Sequence, residues 1–179
     1  MVPTLPLDQM ADRHQALTPA LAESYLEAAR VCLDRHHISP QAFTIRTETS
    51  ASQAIARWNV PDDRVRGAYA NKTDTTEAGA CACVIAAVEL VEGLFAVRRM
   101  ETGTGADYYV APLGKGIEDL DDCLRLEVSG TSAEAQSAVE RRLREKVQQT
   151  LDGSSSLPAL AGVVGFPSLL VRIERVKDK

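Results

Sequence analysis

Apolar residues recur at helical spacing in several segments of the chain. These segments are 18–37, 50–60, 74–97 and 132–151. The first opens with Thr18 as a capping residue and a proline directly after it, which is typical of a helix start. The third has the strongest helical pattern, beginning at a capping Asp74 or Thr75 and ending near Gly93. The pattern therefore predicts four helices, three of them long.

Polar and apolar residues alternate, as in β-strands, in the segments that follow the helix at 74–97. The candidate strands are 95–101, 106–112, 123–130 and one or two strands within 158–176. The sequence "TGTG" between the first two predicts the turn of a hairpin. Residues 42–47 predict one further short strand. The first seventeen residues contain two prolines and no periodicity, so we expect a loosely packed arm.

The order of these elements predicts a single α/β domain over residues 1–179. We expect residues 1–70 to form a mostly helical N-terminal extension. Residues 71–179 should form a mixed central β-sheet flanked by helices, in the order helix, strand, strand, strand, helix, strand. A chain of 179 residues with 45% hydrophobic residues can bury a core of its own.

Charge and cysteine content narrow the classes of function. The formal net charge of −5 argues against nucleic acid as a bulk electrostatic partner. A basic cluster of Arg141, Arg142, Arg144 and Lys146 nevertheless lies on the last long helix and could face a phosphate backbone. The four cysteines lack the spacing of a zinc site. Neither a leader peptide nor an apolar run of about 20 residues is found, so we expect a cytoplasmic protein without membrane contact.

Three acidic residues stand at positions where an acid is unusual. Glu77 begins the apolar stripe of the helix at 74–97, although the helix dipole alone can favour an acid in a first turn. Asp107 lies at the start of a strand, where aspartate is disfavoured, and could instead cap the glycine turn. Glu127 lies in the middle of a strand. If that strand is covered, its charge needs a partner, and Arg125 on the same face could supply one.

This arrangement resembles the restriction-endonuclease-like, or PD-(D/E)XK, nuclease superfamily. The stretches "TTEAGA", "ETGTGADYYV" and "RLEVSGT" are also similar to a set found together in uncharacterised bacterial proteins, over about residues 70 to 176. The resemblance implies an α-β-β-β-α-β core with Glu77 as the helix acid, Asp107 as the hairpin aspartate and Glu127 as the acid of the E-x-K element. It further implies that Asp107 and Glu127 hold Mg²⁺ or Mn²⁺, hard cations that suit oxygen ligands and polarise phosphate.

The sequence departs from the superfamily at Ser129, where the resemblance implies a catalytic lysine. Serine has no charge and cannot replace lysine directly. Some members carry the lysine on the following helix, so Lys146, or failing that Arg142, is the candidate substitute. The other interpretation of Lys146 is structural, because it falls on the packing side of its helix and its methylenes could lie on the core.

Two functions are consistent with these residues. The first is a metal-dependent nuclease that hydrolyses nucleic-acid phosphodiesters as one component of a bacterial system acting against foreign DNA. The alternative is a catalytically inactive subunit of the same fold that binds nucleic acid or a partner protein of a defence complex, which the acidic charge and Ser129 favour. The sequence lacks a dinucleotide fingerprint, a phosphate loop and a nucleophile elbow.

Overall fold

The computed structural model describes residues 1–116, 118 and 120–176 and shows an α/β fold built on one seven-stranded mixed sheet. The strands are β1 (Gln41–Arg46), β2 (Ala51–Ala56), β3 (Leu94–Arg99), β4 (Tyr108–Pro112), β5 (Leu124–Thr131), β6 (Ala159–Gly165) and β7 (Leu170–Val176). The helices are α1 (Met10–Arg13), α2 (Pro19–Asp34), α3 (Asp63–Ala68), α4 (Lys72–Glu92) and α5 (Gln136–Asp152). The predicted class, a mixed sheet flanked by helices, is confirmed.

The order of strands across the sheet is β2-β1-β7-β6-β5-β4-β3. Two neighbouring pairs, β1 with β7 and β5 with β6, are parallel, and the other pairs are antiparallel. The predicted hairpin of β3 and β4 is confirmed. Helix α5 provides the crossover between β5 and β6, which places β5 inside the sheet with neighbours on both sides.

Helices cover both faces of the sheet. Along β6, Leu160 and Val164 pack in the cluster that contains α4, whereas Ala161 and Val163 pack in the cluster that contains α5. Since successive residues of a strand point to opposite faces, α4 and α5 lie on opposite sides of the sheet. The same alternation on β5 determines which of its side chains face α5.

Helix α4 is the central helix of the larger core. Eleven of its residues are buried, so it is apolar nearly all round, as expected for a helix packed on both a sheet and another helix. Its start differs from the prediction: Asn71, whose side chain accepts from the amides of residues 73 and 74, is the capping residue rather than Asp74 or Thr75. Gly93 ends it in a left-handed conformation, as predicted. None of the helices in the described part of the chain is both long and apolar enough to cross a membrane.

The prediction of a helix at 50–60 is wrong, because the segment forms strand β2. Serine and alanine at its start resemble a capped helix, but Ala54 and Ala56 are both buried and alternate with Ile55, the two-residue period of a strand. The segment pairs with β1 along six residues. The hydrogen bonds of this pairing favour the strand more than the local helix propensity favours a helix. Residues 1–70 therefore contribute two strands to the central sheet and are less helical than predicted.

The first seventeen residues are packed, and the expected loose arm is wrong. Leu5, Leu7, Met10 and Leu17 belong to the main core, so burial of apolar side chains fixes a segment that lacks periodicity. Residues 3 and 5 bond to Ile55 of the outer strand β2.

The same segment also reaches the opposite edge of the sheet. The ring Nδ1 of His14 accepts from the amide of Ala96 in the other outer strand, β3, at 3.1 Å. The Nε2 of His14 lies 2.9 Å from the Glu89 carboxylate, and the ring is fully buried. Burial lowers the pKa of His14, which favours the neutral ring that can accept at Nδ1.

Candidate active site

The two predicted metal ligands lie next to each other on neighbouring strands. Strands β4 and β5 are antiparallel with Tyr108 opposite Leu126, so Asp107 and Glu127 are directly opposite each other one position further on. The amide of Asp107 donates to the carbonyl of Leu126 at 2.9 Å, which continues the pairing up to this point. Like charges at opposite positions repel, so the pair needs a neutralising partner.

Where the pairing of β4 and β5 ends, the Asp107 carboxylate takes the place of a main-chain carbonyl as the acceptor for an amide of β5. Its Oδ2 accepts from the amide of Val128 at 2.9 Å, and its Oδ1 lies 3.6 Å from a terminal nitrogen of Arg99. The alternative that Asp107 caps the glycine turn is wrong, since Thr104 closes that turn by donating to the carbonyl of Glu101 at 2.8 Å. Asp107 faces Glu127 and the space beside it.

Glu127 is buried in the middle of β5, and its partner comes from α5. The Nζ of Lys146 donates to Oε1 of Glu127 at 2.6 Å and to the side-chain carbonyl of Gln149 at 2.9 Å. The exposed fractions of the Lys146 and Glu127 side chains are 16% and 4%. The structure places the charge of Lys146 at the acidic pair.

The environment of Glu127 favours its protonated form. Burial, followed by the negative charge of Asp107, raises the pKa of Glu127 to about 7, while Lys146 acts in the opposite direction. The two carboxyl groups are close enough to share a hydrogen bond when one is protonated, which raises the pKa further. A carboxylate pair of this kind binds either a proton or a cation near neutral pH.

The alternative pairing of Glu127 with Arg125 is not the one formed. Arg125 is 3% exposed and donates to the main-chain carbonyls of Thr104, Thr150 and Leu157. These bonds join the β3–β4 connection, the end of α5 and the segment before β6. Arg125 therefore joins two loops to the end of α5, and its charge compensates helix and loop carbonyls.

Ser129 stands two residues after Glu127 on the same face, and its hydroxyl is occupied by Arg142. The Nε of Arg142 donates to Oγ of Ser129 at 2.9 Å, and a terminal nitrogen lies 3.4 Å from Glu145. Of the two candidates for the missing lysine, Lys146 contacts Glu127 and Arg142 contacts Ser129. Both cations come from α5, one helical turn apart.

A cavity of about 660 Å³ opens beside these residues and is lined by α4, the β3–β4 connection, β5 and α5. Glu77, Asp107, Glu127 and Lys146 all line it. Glu77 is exposed on α4, at the rim of the cavity. Cys81 lies beneath it, and burial together with the charge of Asp107 raises the pKa of that thiol to about 12, so it stays protonated.

The cavity also contains residues that sequence reasoning missed. Arg99 at the end of β3 donates through Nη1 to the hydroxyls of Tyr25 and Tyr108 at 3.0 and 2.8 Å. The pairing of Arg99 with Tyr108 across the hairpin could have been found from the strand register. The contribution of Tyr25, from a helix more than 70 residues earlier, has no signal in the sequence.

The donor set fits a hard divalent cation of the Mg²⁺ type. Within the ranges that the structure describes, no group of three or more His, Cys, Asp and Glu residues is placed to hold a metal ion. Mg²⁺ often takes only one or two carboxylates and keeps several water ligands, and Asp107 and Glu127 are carboxylates of that number. A zinc ion, which needs three or four protein ligands, does not fit these residues.

Comparisons with protein-family models, curated proteins and solved structures found no match to this chain.

Proposed function

We propose that this chain is a metal-dependent nuclease-like domain that hydrolyses phosphodiester bonds of nucleic acid, with Asp107 and Glu127 as the ligands of Mg²⁺ or Mn²⁺. The segment from α4 to β6 would form the restriction-endonuclease-like core, since it follows the order helix, three strands, helix, strand. A role in a bacterial system against foreign DNA, with a partner protein in the cytoplasm, belongs to the same proposal and rests on the resemblance of the sequence alone.

One observation carries the proposal: the carboxylates of Asp107 and Glu127 meet in an open cavity with the Lys146 ammonium 2.6 Å from Glu127. Placing a buried carboxylate beside a partly exposed one raises the free energy of the folded protein unless a cation or a proton compensates them. Such an arrangement is expected at a functional site and is costly for a purely structural one.

The residues of the cavity can each take a different role in the hydrolysis of a phosphodiester bond. A bound divalent cation would polarise the phosphate and stabilise the leaving oxygen. Lys146 has three N–H donors, of which two bind Glu127 and Gln149, so the third can orient the attacking water. Water adds its oxygen to phosphorus as the bond to one sugar oxygen breaks, and the exposed carboxylate of Glu77 can accept the proton that the water releases. The leaving sugar oxygen takes up a proton from solvent and departs as a hydroxyl.

A second candidate, binding of nucleic acid without cleavage, is favoured by Ser129. The hydroxyl at this position accepts from Arg142, and a serine held in this way cannot act as the ammonium that the superfamily places there. If Lys146 serves only to neutralise Glu127, the same cavity would bind a phosphate backbone without hydrolysing it.

Incubation of the purified protein with plasmid DNA, single-stranded DNA and RNA in Mg²⁺ or Mn²⁺ tests the proposal. Asp107→Asn and Glu127→Gln remove one metal ligand each without changing side-chain volume, and we expect cleavage to fall by about 100-fold or more. Asp122→Asn is the matched control, because Asp122 is an exposed carboxylate just before β5 that is paired with Lys115.

Cleavage by the wild-type protein and the control, together with its loss in both site variants, supports the proposal. Equal cleavage by all four proteins would show that a contaminating nuclease is responsible. Binding of the same nucleic acids without cleavage would favour the second candidate.

A further inference from the structure

A fixed arginine occupies the wall of the cavity beside Asp107. The Nη1 of Arg99 lies 3.0 Å from the Tyr25 hydroxyl and 2.8 Å from the Tyr108 hydroxyl, and the two hydroxyls are 2.7 Å apart. Three side chains from α2, β3 and β4 thus converge on one hydrogen-bonded cluster. Both acceptors of Nη1 are neutral hydroxyls.

The two tyrosines are buried, whereas the arginine is not. Tyr25 and Tyr108 are 8% and 0% exposed, and the guanidinium carbon lies 4.8 Å from the centre of the Tyr108 ring. The side chain of Arg99 is 55% exposed. A guanidinium held at one nitrogen and stacked on a ring keeps a single orientation, so its outer edge faces the cavity in a fixed position.

The charge of Arg99 is only weakly compensated by the protein. Among the residues that the structure describes, its nearest carboxylate oxygen is Oδ1 of Asp107, which is 3.6 Å from Nη2. This distance is too long for a hydrogen bond. By contrast, Lys146 donates to Glu127 at 2.6 Å, and the neighbouring Arg98 donates to Glu101 at 2.9 Å. Arg99 therefore retains both charge and N–H donors for an anion from outside.

The order of charges across the site also points to an anionic ligand. Arg99 on β3 stands beside Asp107, which is followed by Glu127 on β5 and then by Lys146 on α5. The formal charges of these four side chains sum to zero. The lining of the cavity as a whole has five carboxylates and three cationic side chains, so a bound divalent cation would bring it to about zero net charge. Positive charge would then remain only along this row of four side chains, where it attracts a phosphodiester.

We infer that Arg99 is a substrate-binding residue of this cavity, which donates through its outer nitrogens to a non-bridging oxygen of a nucleic-acid phosphate, and that Tyr25 and Tyr108 are the residues that position it. The inference deepens the proposed function and rests on it for the identity of the ligand. A planar guanidinium matches the oxygens of a phosphate better than a lysine does.

Binding of labelled nucleic acid in Ca²⁺, which takes the same oxygen ligands, tests the inference without requiring cleavage. A fluorescein-labelled DNA duplex, its single strand and an RNA of the same sequence distinguish the sources of the phosphate by their affinities. We expect Arg99→Gln to weaken binding of the preferred probe by about tenfold and to reduce the slope of log Kd against log salt by about one.

Three further variants separate phosphate contact from structural support. Arg99→Lys keeps the charge and loses the planar fork, so affinity should fall several-fold while the salt slope is kept. Tyr108→Phe removes one hydroxyl that orients Arg99 and should weaken binding with little change in salt slope. Arg98→Gln removes an equal charge from the preceding residue of β3, which pairs with Glu101 but does not itself line the cavity, and should change affinity by about twofold or less.

The outcomes separate this inference from the proposed cleavage. Binding that depends on Arg99, in a protein that does not cleave, retains the inference and removes the nuclease proposal. Cleavage with affinity and KM unchanged in Arg99→Gln overturns the inference and retains the nuclease. Equal losses of affinity in Arg98→Gln and Arg99→Gln also overturn the inference. If Arg99→Gln does not fold, unaltered affinity in Arg99→Lys overturns it instead. A wild-type protein that neither binds nor cleaves contradicts both.

Discussion

The ammonium of Lys146 lies 2.6 Å from the Glu127 carboxylate, although the two residues are 19 positions apart in the chain. One belongs to the last long helix and the other to the middle of a central strand. The position two residues after Glu127 carries no charge, and its serine binds Arg142. The packing of α5 on the sheet therefore brings the positively charged partner, Lys146, to Glu127.

Replacing Lys146 should affect the site more than replacing any other cation of α5. Lys146→Met keeps the length of the aliphatic stem and leaves Glu127 without its cation, so we expect cleavage to fall by about tenfold or more. Arg144→Met is the matched control, because Arg144 is exposed on the same helix and does not line the cavity. Initial cleavage rates of the three proteins check this prediction, and equal losses in both variants would contradict it.

Removing the charge of Asp107 should lower the pKa of Glu127. After burial, the Asp107 carboxylate is the largest cause that raises that pKa, so Asp107→Asn should move it from about 7 toward its ordinary value of 4.5. A carboxyl NMR titration of protein labelled at glutamate measures the shift. No change in Asp107→Asn, or an equal change in Asp122→Asn, would show that the two carboxyl groups do not interact.

The stability of the protein should depend on pH through Glu127. Because its pKa is about 7 when folded and near 4.5 when unfolded, the folded state holds a proton that the unfolded state releases between these values. Glu127 therefore favours folding at low pH, and this contribution is lost as pH rises from about 4.5 to above 7. The free energy of unfolding of wild type relative to Glu127→Gln should fall by on the order of 1–3 kcal/mol across that range. Urea unfolding at several pH values measures it, and a constant difference would contradict it.

Affinity for Mg²⁺ should rise with pH over the same range. A metal ligand must be deprotonated, so binding of the cation releases the proton of Glu127. We expect Mg²⁺ to bind about tenfold more weakly near pH 6 than near pH 8. Calorimetry in two buffers of different ionisation enthalpy counts the released proton. Affinity that is flat between these pH values would place the metal elsewhere.

The close approach of α4 to the sheet should make Gly162 intolerant of a side chain. A Cβ at this position of β6 would overlap Cγ1 of Val84 on α4, so Gly162→Ala should lower the free energy of unfolding by about 1–3 kcal/mol. Gly67→Ala in α3 is the control, because a Cβ there meets no atom within 4 Å. Chemical denaturation compares the two, and the control should be neutral or stabilising by about 0.5–1 kcal/mol.

The sequence predicted the local elements of the site better than its contacts. Helical and two-residue periods identified the β3–β4 hairpin, β5 and α5, because each of these elements has one consistently apolar face. Helix α4, which is apolar nearly all round, was identified by its length and its end signals. The same approach failed at β2, where small residues suit either conformation and pairing with β1 decides the outcome.

The pattern of hydrophobic and polar residues did not predict the contacts between elements that are distant in the chain. The glycine turn placed Asp107 at the start of a strand, but the register that sets it opposite Glu127 depends on the pairing of β4 with β5. The bonds of Arg99 to Tyr25 and of Arg142 to Ser129 join elements that are adjacent only after packing. They could not be predicted without the orientation of both helices.

The N-terminal segment contacts both outer strands of the sheet, β2 through Ile55 and β3 through Ala96. An outer strand with unpaired amides and carbonyls is a template on which another chain can add a strand. The first seventeen residues thus cover part of both outer strands and oppose self-association there. Proteolytic trimming of this short segment would expose both edges, and we expect aggregation of the trimmed protein before any change in the cavity beside Asp107.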